Sequence, residues 1–240
     1  LSSKFTNSFD TLIIDEGQDF EQIWAESLLQ MAKDDAHVLW LEDPEQALYS
    51  RSQVRLPGWV TLSSPVNYRS PHLLVQFINW LGLTTEPVEA GSSVLGFDPL
   101  WYVYEDDVSP ILTTETAITT LLNQGYAASN IAVLSFKGLA RSEIAGSDGP
   151  RKLANLSVKK QQGYDEQGNA IWSEGDLLVD SVFRFKGQAA DAIVFTEVDF
   201  SEFGAQEKRR LFVALTRARL QVVLVTSDRA ATCLQTHLNY

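Results

Sequence analysis

A short apolar segment followed by two adjacent carboxylates is the part of the sequence best suited to chemistry. Thr11 to Ile14 is followed directly by Asp15 and Glu16. The segment fits a strand buried on both faces of a parallel sheet, and open α/β sheets bind ligands at the carboxyl ends of such strands. Because adjacent strand residues point to opposite sides, one carboxylate can reach Mg²⁺ through its waters while the other polarises an attacking water. The alternative is a charged strand-to-helix loop with a capping aspartate.

Four further blocks follow in the chain. They are the segments 42–46 (EDPEQ), 67–70 (NYRS), 184–188 (RFKGQ) and 212–219 (FVALTRAR). Together with the first segment they resemble motifs II to VI of the UvrD-type superfamily 1 DNA helicases, in the family order and at plausible spacings. The resemblance runs from about residue 10 to about residue 226. It is carried by five blocks in series and not by a single short motif.

The resemblance implies an ATP and Mg²⁺ site at the cleft between two domains. Asp15 would hold Mg²⁺ through water, and Glu16 would activate the attacking water. Gln46 would contact the γ-phosphate or that water, because its amide can donate to phosphate and accept from water. Tyr68 would stack on the adenine while Arg69 binds phosphate oxygens in a bidentate manner.

The carboxyl-terminal blocks would complete this site. Lys186 and Gly187 match the nucleotide-contacting pattern of motif V, and Arg217 matches the arginine of motif VI. A guanidinium that neutralises charge in phosphoryl transfer is worth about 10³ to 10⁵ in rate. Arg210 precedes Arg217 by nearly two helical turns, so one helix would direct both side chains into a cleft. The alternative is an exposed helix whose arginines pair with carboxylates.

A third group of residues is expected to contact single-stranded or partly duplex DNA. These residues are Tyr49, Arg51, Arg141 and Ser181. Arg51 falls near the position where many family members carry a base-stacking Trp, and Tyr49 is the remaining stacking candidate. Stacking contributes about 1 to 3 kcal/mol per base, so loss of the Trp would weaken translocation without affecting ATP hydrolysis.

Motifs III and V also depart from the family pattern. Glu42 replaces a common Gly, Phe183 stands where a His is usual, and Ala189 stands where a Glu usually approaches the ribose or the γ-phosphate. Phe183 is expected to pack instead, with ribose recognition weaker or supplied elsewhere.

The sequence contains no G-x-x-x-x-G-K-[ST] loop, whose backbone N–H groups and Lys bind nucleotide phosphates. In the family that loop precedes motif II. The expectation is therefore a carboxyl-terminal portion of a longer protein, inactive by itself as an ATPase. A lineage that lost its P-loop is the alternative.

Composition agrees with a globular protein. The chain is 45% hydrophobic and 21% charged, and it has one cysteine, Cys233, so it forms no internal disulfide. No apolar run approaches the roughly 20 residues needed to span a bilayer, and the expected location is the cytoplasm. With 31 acidic and 19 basic residues the net charge is -12, so the chain alone is expected to bind DNA poorly. It is also expected to be monomeric.

The fold class predicted is α/β, with the RecA-like architecture of P-loop NTPases. Residues 1–82 would form the carboxyl-terminal half of a first RecA-like domain, 83–98 a linker, and 99–240 a second RecA-like domain with a short insertion at about 146–175. Strands alternating with helices imply parallel sheets. The predicted strands are 11–14, 37–41, 59–62, 100–104, 131–136, 177–182, 192–197 and 221–226; the predicted helices include 110–123, 139–145, 206–219 and 228–238, and a hairpin is predicted through 164–172.

Two other functions remain open at this stage. A nucleotide-gated switch or interaction module with a helicase-like fold would explain the acidic balance and the departures in motifs III and V. A Mg²⁺-dependent nuclease built on Asp15, Glu16 and Asp19 would leave Arg69, Lys186 and Arg217 without a role.

Overall fold

The computed structural model describes residues 7–49 and 51–238. The chain divides into two compact units between Ser64 and Pro65. The boundary predicted at residue 82 therefore lies inside the second unit. The segment after Pro65 joins the second unit because it is hydrogen-bonded to it, for example through the Phe97 amide, which donates to the Leu220 carbonyl at 3.1 Å.

The first unit contains two parallel strands and one helix. These elements are β1 (Phe9–Ile14), α1 (Gln22–Leu29) and β2 (Ala32–Trp40), with 3-10 turns at Gly17–Asp19 and Pro44–Gln46. Ile14 is buried, but the side chains of Ile13 and Leu39 are more than half exposed, so the expected burial on both faces was wrong. The strand predicted at 59–62 was also wrong, because no strand in the described part of the chain pairs with it.

The second unit is built around a larger sheet. Its elements are β3 (Val66–Asn67), α2 (His72–Trp80), β4 (Glu89–Ala90), β5 (Leu100–Tyr104), α3 (Ile111–Asn123), β6 (Ile131–Ser135), β7 (Lys152–Leu153), β8 (Leu156–Lys159), β9 (Gln161–Tyr164), β10 (Ala170–Trp172), β11 (Leu177–Ser181), β12 (Ala190–Val198), α4 (Ala205–Leu215), β13 (Ala218–Ser227) and α5 (Asp228–Leu238).

The main sheet has the strand order β5-β13-β12-β6-β11-β8-β7. Neighbouring strands from β5 to β8 are parallel, and only β7 at the edge is antiparallel. Its central strands are apolar on both faces, with Val194 and Phe195 of β12 fully buried, as expected when helices cover a parallel sheet. The predicted α/β class with a mostly parallel sheet is confirmed, as is the hairpin, formed by β9 and β10.

Two helix predictions fail because hydroxyl groups compete for backbone partners. Residues 139–145 form turns, since the Ser142 hydroxyl accepts hydrogen bonds from the Ile144 and Ala145 amides at 3.1 and 2.7 Å. The helix predicted to reach residue 219 ends at Leu215, and the Thr216 hydroxyl donates to the last turn. No helix within 7–49 and 51–238 is long and apolar enough to cross a membrane.

Helix α3 supplies a direct test of this core. Ile118 is fully buried between α3 and the sheet, so Ile118→Ala should lower the free energy of unfolding by about 2 to 5 kcal/mol. Leu112→Ala is the matched control, because that side chain is 74% exposed on the same helix. Urea unfolding of both variants checks this, and equal losses would contradict the packing described.

Candidate functional site

The acidic turn after β1 has a constrained backbone. Glu16 adopts a left-handed conformation with φ 55°, and its amide donates to Asp15 Oδ1 at 2.9 Å. Gly17 follows, and a Cβ there would lie 2.3 Å from the Trp40 indole, so only glycine fits. Residues other than glycine seldom adopt the left-handed conformation seen at Glu16, and where they do the surrounding structure must hold it.

One hydrogen-bonded chain joins motif II to motif III. Gln18 donates from Nε2 to Glu16 Oε2 at 2.6 Å, and its Oε1 accepts from the Asp43 amide at 3.0 Å. Asp43 in turn accepts from Gln46 Nε2 at 2.7 Å. The first unit therefore brings together Glu16 and Gln46, the two predicted catalytic residues in it. Sequence reasoning missed Gln18, whose signal was an amide placed between two acidic segments.

Asp15 fits the role of a single metal-contacting carboxylate. Its side chain is exposed at the end of β1, and Mg²⁺ is commonly held by one or two carboxylates together with water and substrate phosphates. Across residues 7–49 and 51–238 no group of three or more His, Cys, Asp or Glu side chains could hold a metal ion.

An arginine lies between two aromatic rings on the first unit. The Arg51 guanidinium carbon is 4.6 Å from the centre of the Trp24 ring and 5.3 Å from that of Tyr49. Both aromatic side chains are 44% exposed, and Arg51 also donates to the Asp19 carbonyl. The position where the family often has a Trp thus carries an arginine stacked on aromatic neighbours.

Tyr68 and Arg69 lie on the second unit in an exposed turn. The Asn67 side chain holds this turn by accepting from the Arg69 and Ser70 amides at 2.9 and 2.8 Å. Tyr68 is 73% exposed, and its ring passes so close to Gly91 that a Cβ there would clash. The exposed ring leaves room for stacking, and its contact with adenine stays a prediction.

A backbone hydrogen bond within the motif V segment holds its turn. Ser181 is buried, and its carbonyl accepts from the Phe185 amide at 3.1 Å. Gly187 adopts φ 85° in open space, and Lys186 is partly buried. Ser181 therefore has a structural role in the turn. Its contact with nucleic acid stays a prediction.

Phe183 and Arg210 explain one departure from the family pattern. The Arg210 guanidinium carbon is 4.9 Å from the Phe136 ring centre and 5.4 Å from that of Phe183. Burial lowers the pKa of Arg210. Phe183, at the position of the usual His, therefore packs against a cation, which is attracted to the faces of aromatic rings.

Arg217 is almost completely buried, with 1% of its surface exposed. It follows the end of α4, so the expectation that it shares one continuous helix with Arg210 was wrong. Its Nε donates to the Val213 carbonyl and its Nη2 to the Thr216 hydroxyl, both at 3.3 Å. A buried guanidinium is costly to desolvate, and such groups are often functional.

Arg141 lies in an exposed turn that is held in place by the buried carboxylate of Glu197. Glu197 is fully buried at φ 58° near the end of β12, and it accepts from the Ser135 and Ser142 hydroxyls. It also accepts from the Glu143 amide at 2.7 Å. Sequence reasoning missed Glu197, because its partners lie more than 50 residues away in the chain.

A second carboxylate network stands just beyond the end of β12. Asp199 accepts two hydrogen bonds from Arg229 at 2.5 and 2.7 Å and one from Ser227 at 2.8 Å, and Lys137 lies 3.6 Å away. The Arg229 hydrogen bond is the main cause that lowers the pKa of Asp199. These contacts tie together the carboxyl ends of β6, β12 and β13.

The family model of the UvrD-like helicase C-terminal domain matches residues 176–225. The match covers motifs V and VI, so the predicted resemblance to a UvrD-type carboxyl-terminal portion is confirmed there. A solved structure of the C-terminal domain of a possible DNA helicase from Lactobacillus plantarum WCFS1 is 15% identical, with a TM-score of 0.47, over 68% of this chain and 92% of that one. A search of curated proteins found no match to the chain.

The Glu197 network predicts a loss of stability on neutralisation. Glu197→Gln replaces a carboxylate oxygen with an amide donor among groups that donate to it, and hydrogen bonds to charged groups contribute about 1.5 to 3 kcal/mol. We expect a loss of that size in urea unfolding. Glu202→Gln, at an exposed position nearby, should have little effect. An equally stable Glu197→Gln variant would show that the network is energetically unimportant.

Asp199 predicts a defined pH dependence. Because the folded-state pKa is depressed, its stabilisation is complete above the unfolded pKa of about 3.9 and is lost as pH falls through the lower folded value. Urea unfolding of wild type and Asp199→Asn from pH 7 to pH 3 should therefore give curves that converge in acid. A difference that stays constant over this range would refute the assignment.

Proposed function

We propose that this chain, whose residues 176–225 match the UvrD-like helicase C-terminal domain, is the carboxyl-terminal portion of an ATP-dependent superfamily 1 DNA helicase or translocase. The family match over motifs V and VI is the observation that carries the proposal. The hydrogen-bonded chain from Glu16 through Gln18 and Asp43 to Gln46 supports it, because it joins motifs that the resemblance had assigned separately.

In this proposal the two units derive from RecA-like domains, and ATP with Mg²⁺ is the cofactor. Asp15 would hold Mg²⁺ through water, and the chemistry that the metal would supply there is neutralisation of the charge on the phosphate oxygens. Glu16 accepts the proton of the attacking water, and Gln46 orients that water against the γ-phosphate. Positioned proton transfer of this kind contributes about 10² to 10⁴ in rate.

The second unit supplies the remaining nucleotide contacts in the proposal. Tyr68 stacks on the adenine and Arg69 binds phosphate. Lys186, Gly187 and Arg210 supply further contacts to the nucleotide. Arg217 neutralises charge that develops during phosphoryl transfer.

Single-stranded DNA is the proposed partner. Tyr49 and Arg51 present a stacked aromatic and cationic surface, which suits unpaired bases. Arg141 is exposed and adds positive charge at a turn of the second unit. The net charge of -12 opposes non-specific binding, so the chain should bind DNA only at low salt.

A nucleotide-gated switch with the same fold is the second candidate. It is favoured by Phe183, which replaces a usual His and packs on Arg210 in the motif V region. A switch would bind nucleotide without moving along DNA.

ATP hydrolysis tests the proposed site. The 240-residue sequence has no P-loop, so the chain alone should not hydrolyse ATP appreciably. In a protein that includes the P-loop, we expect hydrolysis stimulated by single-stranded DNA. Glu16→Gln should lower it about 10² to 10⁴-fold, and Arg217→Ala about 10³ to 10⁵-fold.

Two matched variants control for charge loss. Glu86→Gln and Arg219→Ala alter exposed side chains and should leave hydrolysis nearly unchanged. Robust turnover by the 240-residue chain, or full activity of Glu16→Gln, would overturn the proposal.

A further inference from the structure

A pocket of about 400 Å³ opens within the second unit where β11 runs past the end of β8. The ladder between the two strands ends at Leu178, paired with Lys159. The next residues of β11, Val179 and Asp180, line the pocket together with Lys160. The volume lies within the range of small-molecule sites, which is about 300 to 1,000 Å³.

Asp180 is the unusual residue of this pocket. It is 1% exposed, its Oδ1 accepts from the Ser181 amide at 2.7 Å, and Arg184 Nε lies 3.3 Å from that oxygen. Its Oδ2 is buried and has no hydrogen-bond partner among the residues described by the structure. Burial raises the pKa of Asp180. A buried acceptor without a donor costs about 1 to 3 kcal/mol, so a ligand N–H at this oxygen would be favourable.

Two further polar side chains of the pocket, those of Lys160 and Arg184, are donors. Lys160 Nζ donates to the Gly146 carbonyl at 2.9 Å, and an ammonium has three N–H groups in all. Arg184 Nη2 donates to Gln161 Oε1 and so fixes that side chain beside the carboxylate. Leu139 adds apolar surface to the lining. The pocket therefore suits a ligand with an apolar body whose polar edge carries N–H donors beside an acceptor.

We propose that this pocket binds a guanine base, carried on a single strand or as a free nucleotide. Guanine presents N1–H and N2–H side by side for the Asp180 carboxylate, next to a carbonyl that can accept from Lys160. Adenine has no carbonyl, and the N–H of thymine lies between two carbonyls that would face the carboxylate. Cytosine separates its amine from its carbonyl by a ring acceptor. Unstacked bases are commonly recognised along this edge.

This inference rests on the proposed function only in the expectation that the guanine base belongs to a DNA strand. Guanine recognition needs neither ATP hydrolysis nor the first unit, because every residue that lines the pocket lies in the second unit. The two proposals can therefore fail separately.

Binding to short thymidine oligomers with one central guanine, cytosine, adenine or thymine tests the inference. Fluorescence anisotropy at low salt with the 240-residue chain should show about 10-fold tighter binding of the guanine oligomer, as one hydrogen bond to a charged group predicts. Asp180→Asn should remove most of this preference, because its amide would place N–H groups against those of the base. Competition by free deoxyguanosine monophosphate identifies the source of the base, and either source supports the pocket.

Two lysine variants separate base recognition from general charge. Lys160→Gln replaces the pocket ammonium with a shorter, neutral amide, whereas Lys159→Gln removes the same charge from a side chain that packs 5.7 Å from the Trp172 ring centre and does not line the pocket. Both should weaken all oligomers alike through lost phosphate attraction, and only Lys160→Gln should also reduce the guanine preference. If thermal melting shows that Asp180→Asn is unfolded, the Lys160→Gln variant provides the test instead. Equal affinities for the four oligomers, or equal effects of the two lysine variants, would overturn the inference.

Discussion

The parallel order of the main sheet is the constraint on which the second unit depends. Since β6, β11, β12 and β13 run in the same direction, their carboxyl ends meet at one edge. The turns that follow them carry Arg141, the motif V segment and the Asp199 network. Residues far apart in sequence come together there because of strand direction. A sheet of mixed direction would scatter them over two edges.

Buried charge organises that edge. Glu197 and Asp180 are each at most 1% exposed. Each carries a cost of removal from water that hydrogen bonds must offset. Glu197 meets this cost with two hydroxyls and an amide, and in doing so it fixes the turn that presents Arg141. The hydrogen bonds of Asp180 offset this cost only in part, because its Oδ2 has no partner among the described residues. Asp180 differs in this respect from a carboxylate in an ordinary structural ion pair.

The sheet was the part of the fold most open to sequence-based prediction. Central strands such as β6 and β12 are short apolar runs between polar turns, and this local pattern is sufficient to find them. The segment around Ser142 has helical periodicity as well, but its hydroxyl takes the amides that a helix would need. The end of α4 was misplaced because the register of β13, which starts at Ala218, is set by pairing with β12. Local patterns do not contain that tertiary information.

The candidate site was predictable to a similar extent. Glu16 and Gln46 were proposed from motifs, and the structure connects them by hydrogen bonds through Gln18 and Asp43, while their catalytic roles stay predictions. Glu197 and Asp180 could not be found in this way, because single acidic residues in apolar strands have no spacing that distinguishes them. Their importance follows from burial and from partners brought near by the sheet. Phe183 was correctly expected to pack, but its partner Arg210 was not foreseen.

Movement along DNA tests the central claim most directly, because it separates a motor from a switch with the same fold. The measurement is displacement of streptavidin from the end of a biotinylated single strand by a protein that contains this chain together with a P-loop. A helicase or translocase should displace streptavidin only with hydrolysable ATP, and Arg217→Ala should abolish the displacement. Nucleotide hydrolysis stimulated by DNA but without any displacement would contradict the account and favour the switch.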